Sequence, residues 1–189
     1  MVYHKGTKTI ETDRLILRQF KYEDNQDMLD YRVSDPDVQF SYFEPVYTTY
    51  NEVKHLLDSY ISSYENMDYY RWAIIEKDSA SCIGQIAFFL LDTKNHFGEI
   101  EYCIGINFQK RGYCTEATKA ILNFGFNQIN LHKIQICHDE NNLASKSIIK
   151  KCNLTYEGTL RDYFFFNGRY LDRSYYSILK EEYLYYFEK

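Results

Sequence analysis

The sequence predicts a single α/β (α+β) domain, in which a mixed sheet of about seven strands is flanked on both faces by about four helices. Three observations carry that prediction. The chain has 189 residues, enough for one domain with a sizeable core. Stretches with apolar residues at a period of two alternate with stretches at steps of three and four, in the order β-α-α-β-β-β-α-β-α-β-β. Asn167-Gly168 separates two aromatic-rich runs, which is the signal of a type I′ hairpin. The domain is placed at residues 10–183, with an N-terminal extension over 1–9 and a C-terminal tail over 184–189.

The opening strand has Leu15 and Leu17 on one face and Arg14, Ile16 and Arg18 on the other. A helix follows from about Glu23 to Val33, and Ser34 to Thr48, with both prolines, is expected to be irregular. Thr49-Tyr50-Asn51-Glu52 has the spacing of a capping box, so a second helix starts there, with Val53, Leu56, Leu57, Tyr60 and Ile61 on its apolar face. Arg71–Lys77 and Cys82–Leu91 form a hairpin through Asp78–Ser81, and the second of these is apolar enough to be buried on both faces. Gly98–Ile106 and Lys133–Cys137 are further strands, and Asn142–Lys151 is a short helix. Leu154–Gly158 then leads into the hairpin of Tyr163–Phe166 and Tyr170–Leu179.

Composition excludes several classes. A formal net charge of −5 makes no electrostatic case for nucleic acid or an anionic membrane. No apolar run reaches the roughly 20 residues of a transmembrane helix, and the first six residues are too polar for a signal peptide. Five cysteines without paired spacing suit free thiols in a reducing compartment, so a cytoplasmic protein is expected. Cys137-His138-Asp139-Glu140 is not a metal site on this reading, because consecutive residues on a strand point apart. Cys82 and Cys152 are assigned to the core. The many aromatic residues between Tyr163 and Phe187 suggest a strand-rich wall or a dimer surface.

The chemistry concentrates at Gln109-Lys110-Arg111-Gly112-Tyr113-Cys114-Thr115. A strand end, a glycine-containing turn and a helix start follow one another there. The first helical turn has backbone N–H groups without intrahelical acceptors, and the helix dipole adds positive character. Lys110 and Arg111 add charge, and Gly112 lets the backbone approach a ligand closely, so the stretch reads as a socket for a phosphate. A charged strand-to-helix turn with one glycine would look similar. The Gly-Lys-Ser/Thr ending of a nucleoside triphosphate loop and the three glycines of a dinucleotide fingerprint are both missing.

This loop resembles the coenzyme A pyrophosphate loop of the GNAT superfamily of acyl-CoA-dependent N-acyltransferases, which reads Gln/Arg-x-x-Gly-x-Gly/Ala. Gln109 and Gly112 match, and Cys114 stands where Gly or Ala is preferred. Glu11–Arg18 is similar to the family's opening strand, and Asn142-Leu143-Ala144-Ser145 to an Asn-x-x-Ser element. Lys151–Leu154 stands where Lys-Leu-Gly-Phe is frequent. Glu157–Asp162 with Asn167–Asp172 resembles the branch containing ribosomal-protein N-terminal acetyltransferases.

The resemblance implies acetyl-CoA as cosubstrate, held without metal between the fourth and fifth strands, and direct transfer to a primary amine. The acceptor would be a protein N-terminus or a small amine such as a polyamine or amino sugar; the acidic balance leans towards a cationic one. Cys103, Ile104 and Ile106 would pair with the pantetheine arm as if it were a further strand, and Asn142 would bond it through its amide. Glu99 and Glu101 are two apart on the strand carrying the acetyl group, so they share a face; either could take the amine's proton, or both could be solvated strand carboxylates. Glu101 ranks first because it is nearer the loop, and Asp162 is held in reserve. Ile149 stands where many relatives have a tyrosine acid, so Ser145 becomes the proton donor to the thiolate, unless it only caps its helix. The alternative from another class is a non-catalytic acyl-CoA-binding module.

Overall fold

A computed structural model describes residues 1–188. In chain order the elements are β1 (Ile10–Glu11), β2 (Leu15–Arg18), α1 (Asn25–Met28), α2 (Pro36–Tyr42), α3 (Tyr50–Ser63), β3 (Tyr70–Glu76) and β4 (Cys82–Asp92). They continue with β5 (Phe97–Ile104), α4 (Tyr113–Asn123), β6 (Lys133–Asp139), α5 (Leu143–Lys151), β7 (Thr155–Phe166), β8 (Arg169–Leu179) and α6 (Lys180–Phe187). The strands form one eight-stranded sheet in the order β1-β2-β3-β4-β5-β6-β8-β7. β5 and β6 run parallel, whereas β1–β2, β2–β3, β3–β4, β6–β8 and β7–β8 are antiparallel. The expected mixed sheet is therefore present, with one more strand (the two-residue β1) and two more helices (α2 and α6).

Contacts group the chain into two compact units. The first comprises residues 4–88 and 102–120. Its core packs Val53 and Leu57, one turn apart on α3, against Phe20, Met28, Val33, Ala73, Ile75 and Cys82. Burying each such aliphatic side chain contributes roughly 1.5–3 kcal/mol. α3 starts where the capping box places it: Thr49 Oγ1 accepts the Glu52 N–H, and the Glu52 carboxylate accepts the Thr49 N–H at 2.9 Å. The segment before β1 is tied in by hydrogen bonds, Gly6 N–H to Met67 O at 2.9 Å and Trp72 Nε1–H to Lys8 O at 2.7 Å.

Two expectations are corrected here and one is refined. Ser34–Thr48 is not irregular throughout, because Asp35 caps the N–H groups of Asp37 and Val38, and Pro36 sits at the start of α2, where its missing N–H costs nothing. The helix expected over Glu23–Val33 is α1 extended by a 3₁₀ turn at Tyr22–Asp24 and a π turn at Leu29–Val33. β4 is buried from Cys82 to Phe88, but Phe89 and Leu90 are exposed, so burial on both faces holds for only part of the strand.

The second unit comprises residues 1–3, 89–101 and 121–188. Asn167 and Gly168 both have positive φ, 48° and 78°, as a type I′ turn requires, and the β7–β8 hairpin forms where the dipeptide predicts it. Residues 184–187 form the end of α6, whose Tyr183 is buried with its ring 4.9 Å from Phe126. Leu179 ends β8 and its N–H bonds Glu182 at 2.8 Å, so the last helix begins with an acidic first turn.

Candidate active site

The first unit contains the loop. β5 ends at Ile104, and the Gly105 N–H bonds Ile83 O at 2.8 Å. A 3₁₀ turn at Ile106–Phe108 follows, after which Gln109 Nε2 reaches back to Ile104 O at 3.2 Å. Lys110 and Gly112 take positive φ, 61° and 86°, on either side of Arg111. This alternation of backbone handedness is the pattern from which anion-binding concavities of N–H groups are made. α4 then begins, with Glu116 N–H to Gly112 O at 3.0 Å, so the amides of Tyr113, Cys114 and Thr115 form its first turn. Gln109, Lys110, Arg111 and Gly112 are exposed. Charge, backbone handedness and exposure together fit an anion.

Several predicted residues serve the loop in ways that sequence did not show. The Tyr113 ring is buried, and its hydroxyl donates to the Glu76 carboxylate, which also accepts from Ser79 Oγ at 2.6 Å. The Ser79 and Tyr113 hydroxyls hold Glu76 below the usual carboxylate range, and donation to Glu76 raises the Tyr113 hydroxyl. Cys103 and Ile104 are buried, and Gly84 lies so close that a Cβ there would be 2.4 Å from the Cys103 carbonyl oxygen. Ile106 differs from the expectation: it lies beyond the strand, on the 3₁₀ turn, and is exposed. Cys114 is half-buried, and its carbonyl accepts from Thr118 Oγ1 at 2.7 Å.

The second unit contains the carboxylates. The parallel β5–β6 ladder pairs Phe97 with Lys133, Gly98 with Ile134 and Glu99 with Gln135. Glu99 is buried at the end of that ladder. One of its oxygens accepts from Gln135 Nε2 at 2.6 Å and the other from Cys137 Sγ at 2.8 Å. Burial first, then the neighbouring Glu99 charge, pushes the Cys137 thiol far up, so it remains a donor. Glu101, two residues on, is half-buried. Asn142 caps α5, its Oδ1 accepting the Ser145 N–H at 2.9 Å, and Ser145 is buried inside the first turn. The cap is therefore Asn142 and not Ser145. Ile149 is fully buried and Cys152 with it. Cys137 turns to Glu99, while His138 stacks on Tyr176 with ring centroids 5.5 Å apart, as alternation on a strand demands. Among the described residues no group of three or more His, Cys, Asp or Glu is placed to hold a metal ion, and no helix is long and apolar enough to cross a membrane.

The family described as acetyltransferase (GNAT) domain matches residues 14–155, and the chain belongs to that family. It is 31% identical over 180 residues to the N-acetyltransferase p20 of Bacillus licheniformis, covering 93% of this chain and 98% of that one. It is 27% identical over 143 residues to the spermidine N(1)-acetyltransferase of Vibrio cholerae, covering 76% of this chain and 80% of that protein. Among solved structures, a GNAT-family acetyltransferase from Bacillus anthracis superposes with a TM-score of 0.81 at 26% identity, covering 93% of this chain and all of that one. The protein is thus an N-acetyltransferase of the acetyl-CoA-dependent kind.

Proposed function

We propose that this enzyme transfers acetyl directly from acetyl-CoA to a primary amine, with Glu101 accepting the amine's proton. The acceptor class is a protein N-terminal amine or a small amine. The net charge of −5 and the similarity to a spermidine acetyltransferase favour a cationic one. An alkylammonium with a pKa near ~10.4 is almost wholly protonated at neutral pH, so attack needs a proton acceptor within reach. The amine nitrogen bonds the thioester carbonyl carbon, the C–S bond breaks, the sulfur leaves as thiolate, and the amine's proton passes to the carboxylate.

The observation that carries the assignment is that Glu101 is less buried than Glu99 on the same face of β5. Glu99 has both oxygens engaged by Gln135 and Cys137, which suits a pin at the end of the ladder. Glu101 shares its face and is less buried, and it lies on the strand leading to Cys103, Ile104 and the loop. The loop 109–115 would hold the diphosphate through backbone amides, with Lys110 and Arg111 adding charge. Asn142 Nδ2 would donate to the pantetheine arm, since its Oδ1 is committed to the cap. Ser145 would return a proton to the thiolate.

Thiol release from acetyl-CoA, measured with a panel of polyamines, amino sugars and N-terminal peptides, identifies the acceptor. With the best acceptor, Glu101→Gln is expected to lower kcat by about 10²–10⁴-fold while CoA affinity stays within about twofold. Wild-type turnover in that variant would remove Glu101 from the mechanism.

A further inference from the structure

α4 carries an acidic residue in its first turn, Glu116, four positions after Gly112. A carboxylate there stabilises the helix dipole but opposes any anion bound at the same helix end. The structure shows how that conflict is met. Glu116 Oε2 accepts from Arg14 Nε at 2.8 Å and lies 2.6 Å from the second guanidinium nitrogen. Its Oε1 accepts from Thr12 Oγ1 at 2.6 Å and from the Arg14 backbone N–H at 2.9 Å. Burial works against the Glu116 charge, but the hydrogen bonds from Thr12 and Arg14 outweigh it and hold the carboxyl below its usual range. Glu116 is therefore ionised, with both oxygens occupied.

Arg14 does more than neutralise. Its remaining terminal nitrogen donates to the Arg111 carbonyl at 2.9 Å. Its guanidinium lies 4.6 Å over the Tyr113 ring. A Cβ built on Gly112 would meet the guanidinium at 3.4 Å, so the cation underlies the glycine of the loop. One side chain, about 100 residues away in sequence, thus touches three consecutive loop positions and the helix acid.

We infer that Arg14 is a positioning residue for the diphosphate of CoA: it cancels the Glu116 charge at the start of α4 and holds the Arg111–Gly112 backbone in its anion-binding form. This rests on the reading of 109–115 as the diphosphate loop. A pure scaffold and a charge-cancelling clamp differ in one respect. If Arg14 cancels Glu116, removing both charges should restore part of what removing Arg14 alone destroys, the rest being the lost bond to the Arg111 carbonyl.

The test is calorimetric binding of CoA to the full chain in wild type, Arg14→Gln, Glu116→Gln, the double variant and Gly112→Val, with melting of each apo protein alongside. Arg14→Gln is expected to weaken CoA by about tenfold or more at ~50 mM salt, and by less at ~500 mM, where exposed charges are screened. The double variant is expected to bind about threefold or more tighter than Arg14→Gln without reaching wild-type affinity, because the bond to the Arg111 carbonyl is still missing, and Glu116→Gln alone to bind at least as tightly as wild type. A double variant as weak as Arg14→Gln, or unchanged affinity in Arg14→Gln, overturns the inference. Should Arg14→Gln fail to fold, a clear loss of affinity in Glu116→Gln overturns it instead. Gly112→Val tests the loop separately: unchanged CoA affinity there rejects the loop reading itself, whatever Arg14 does.

Discussion

Gly84→Ala is the smallest perturbation that should disturb the strand leading to the loop. A Cβ at this position of β4 would lie 2.4 Å from the Cys103 carbonyl oxygen, 2.8 Å from Ile104 Cδ1 and 3.2 Å from Ile104 Cα. Carbon and oxygen in ordinary contact stand about 3.4 Å apart, so about 1 Å must be found somewhere. The Ile104 side chain can rotate away, but Cys103 O belongs to the backbone of β5. Gly84 is paired with Ile74 on β3 beside a register shift, so β4 is not free to slide either. Overpacking of this kind costs roughly 1–3 kcal/mol, which for a chain of this size lowers Tm by roughly 2–12 °C. The functional effect should be larger in proportion, because the displaced segment is the one proposed to align the pantetheine arm. A misplacement of about 1 Å can cost about 10²-fold in turnover. The assay is a thermal melt of the apo protein together with kcat/KM for acetyl-CoA. A variant that melts within about 1 °C of wild type and keeps its kcat/KM within about twofold would refute the close-approach reasoning.

Two further predictions test how the loop and α5 are held. Tyr113→Phe removes one of the two hydroxyls that keep the Glu76 carboxyl below its usual range. A carboxylate with a lowered folded pKa contributes stability above its unfolded value near ~4.3 and loses it as pH falls through the folded value. The variant should therefore be less stable than wild type at pH ~7 in urea, and the gap should narrow below pH ~4; an equal gap at both would show that Glu76 is not the partner that matters. Asn142→Ala should cost roughly 0.5–2 kcal/mol by removing the α5 cap, whereas Asn142→Asp should keep the cap and lose only the amide donor. Weaker CoA binding in Asn142→Asp with an unchanged melt supports the proposed pantetheine contact, and unchanged binding removes it.

The parts of the fold legible in the sequence are those decided within a few residues. The capping box at Thr49 and Glu52 starts α3 because both partners lie in one turn. Asn167-Gly168 folds the last hairpin because the dipeptide tolerates two positive φ values. The loop 109–115 could be read because strand end, glycine and helix start are consecutive. α2 was also legible in principle, since Asp35-Pro36 is a local cap and start, but two prolines among aromatics look equally like an irregular loop. α6 was harder: its aromatic residues read as wall or tail until Tyr183 has Phe126 to pack against.

By itself the sequence settled the class of fold, because backbone preference and side-chain period act locally. That Glu99 is pinned was decided by Gln135 and Cys137 on a neighbouring strand. Likewise Arg14, an ordinary strand-start arginine in the sequence, becomes the support of the loop only when folding brings Glu116 and the Arg111 carbonyl to it. Hydrogen bonds and charge pairs act over a few ångströms of space, and separation along the chain does not encode that distance.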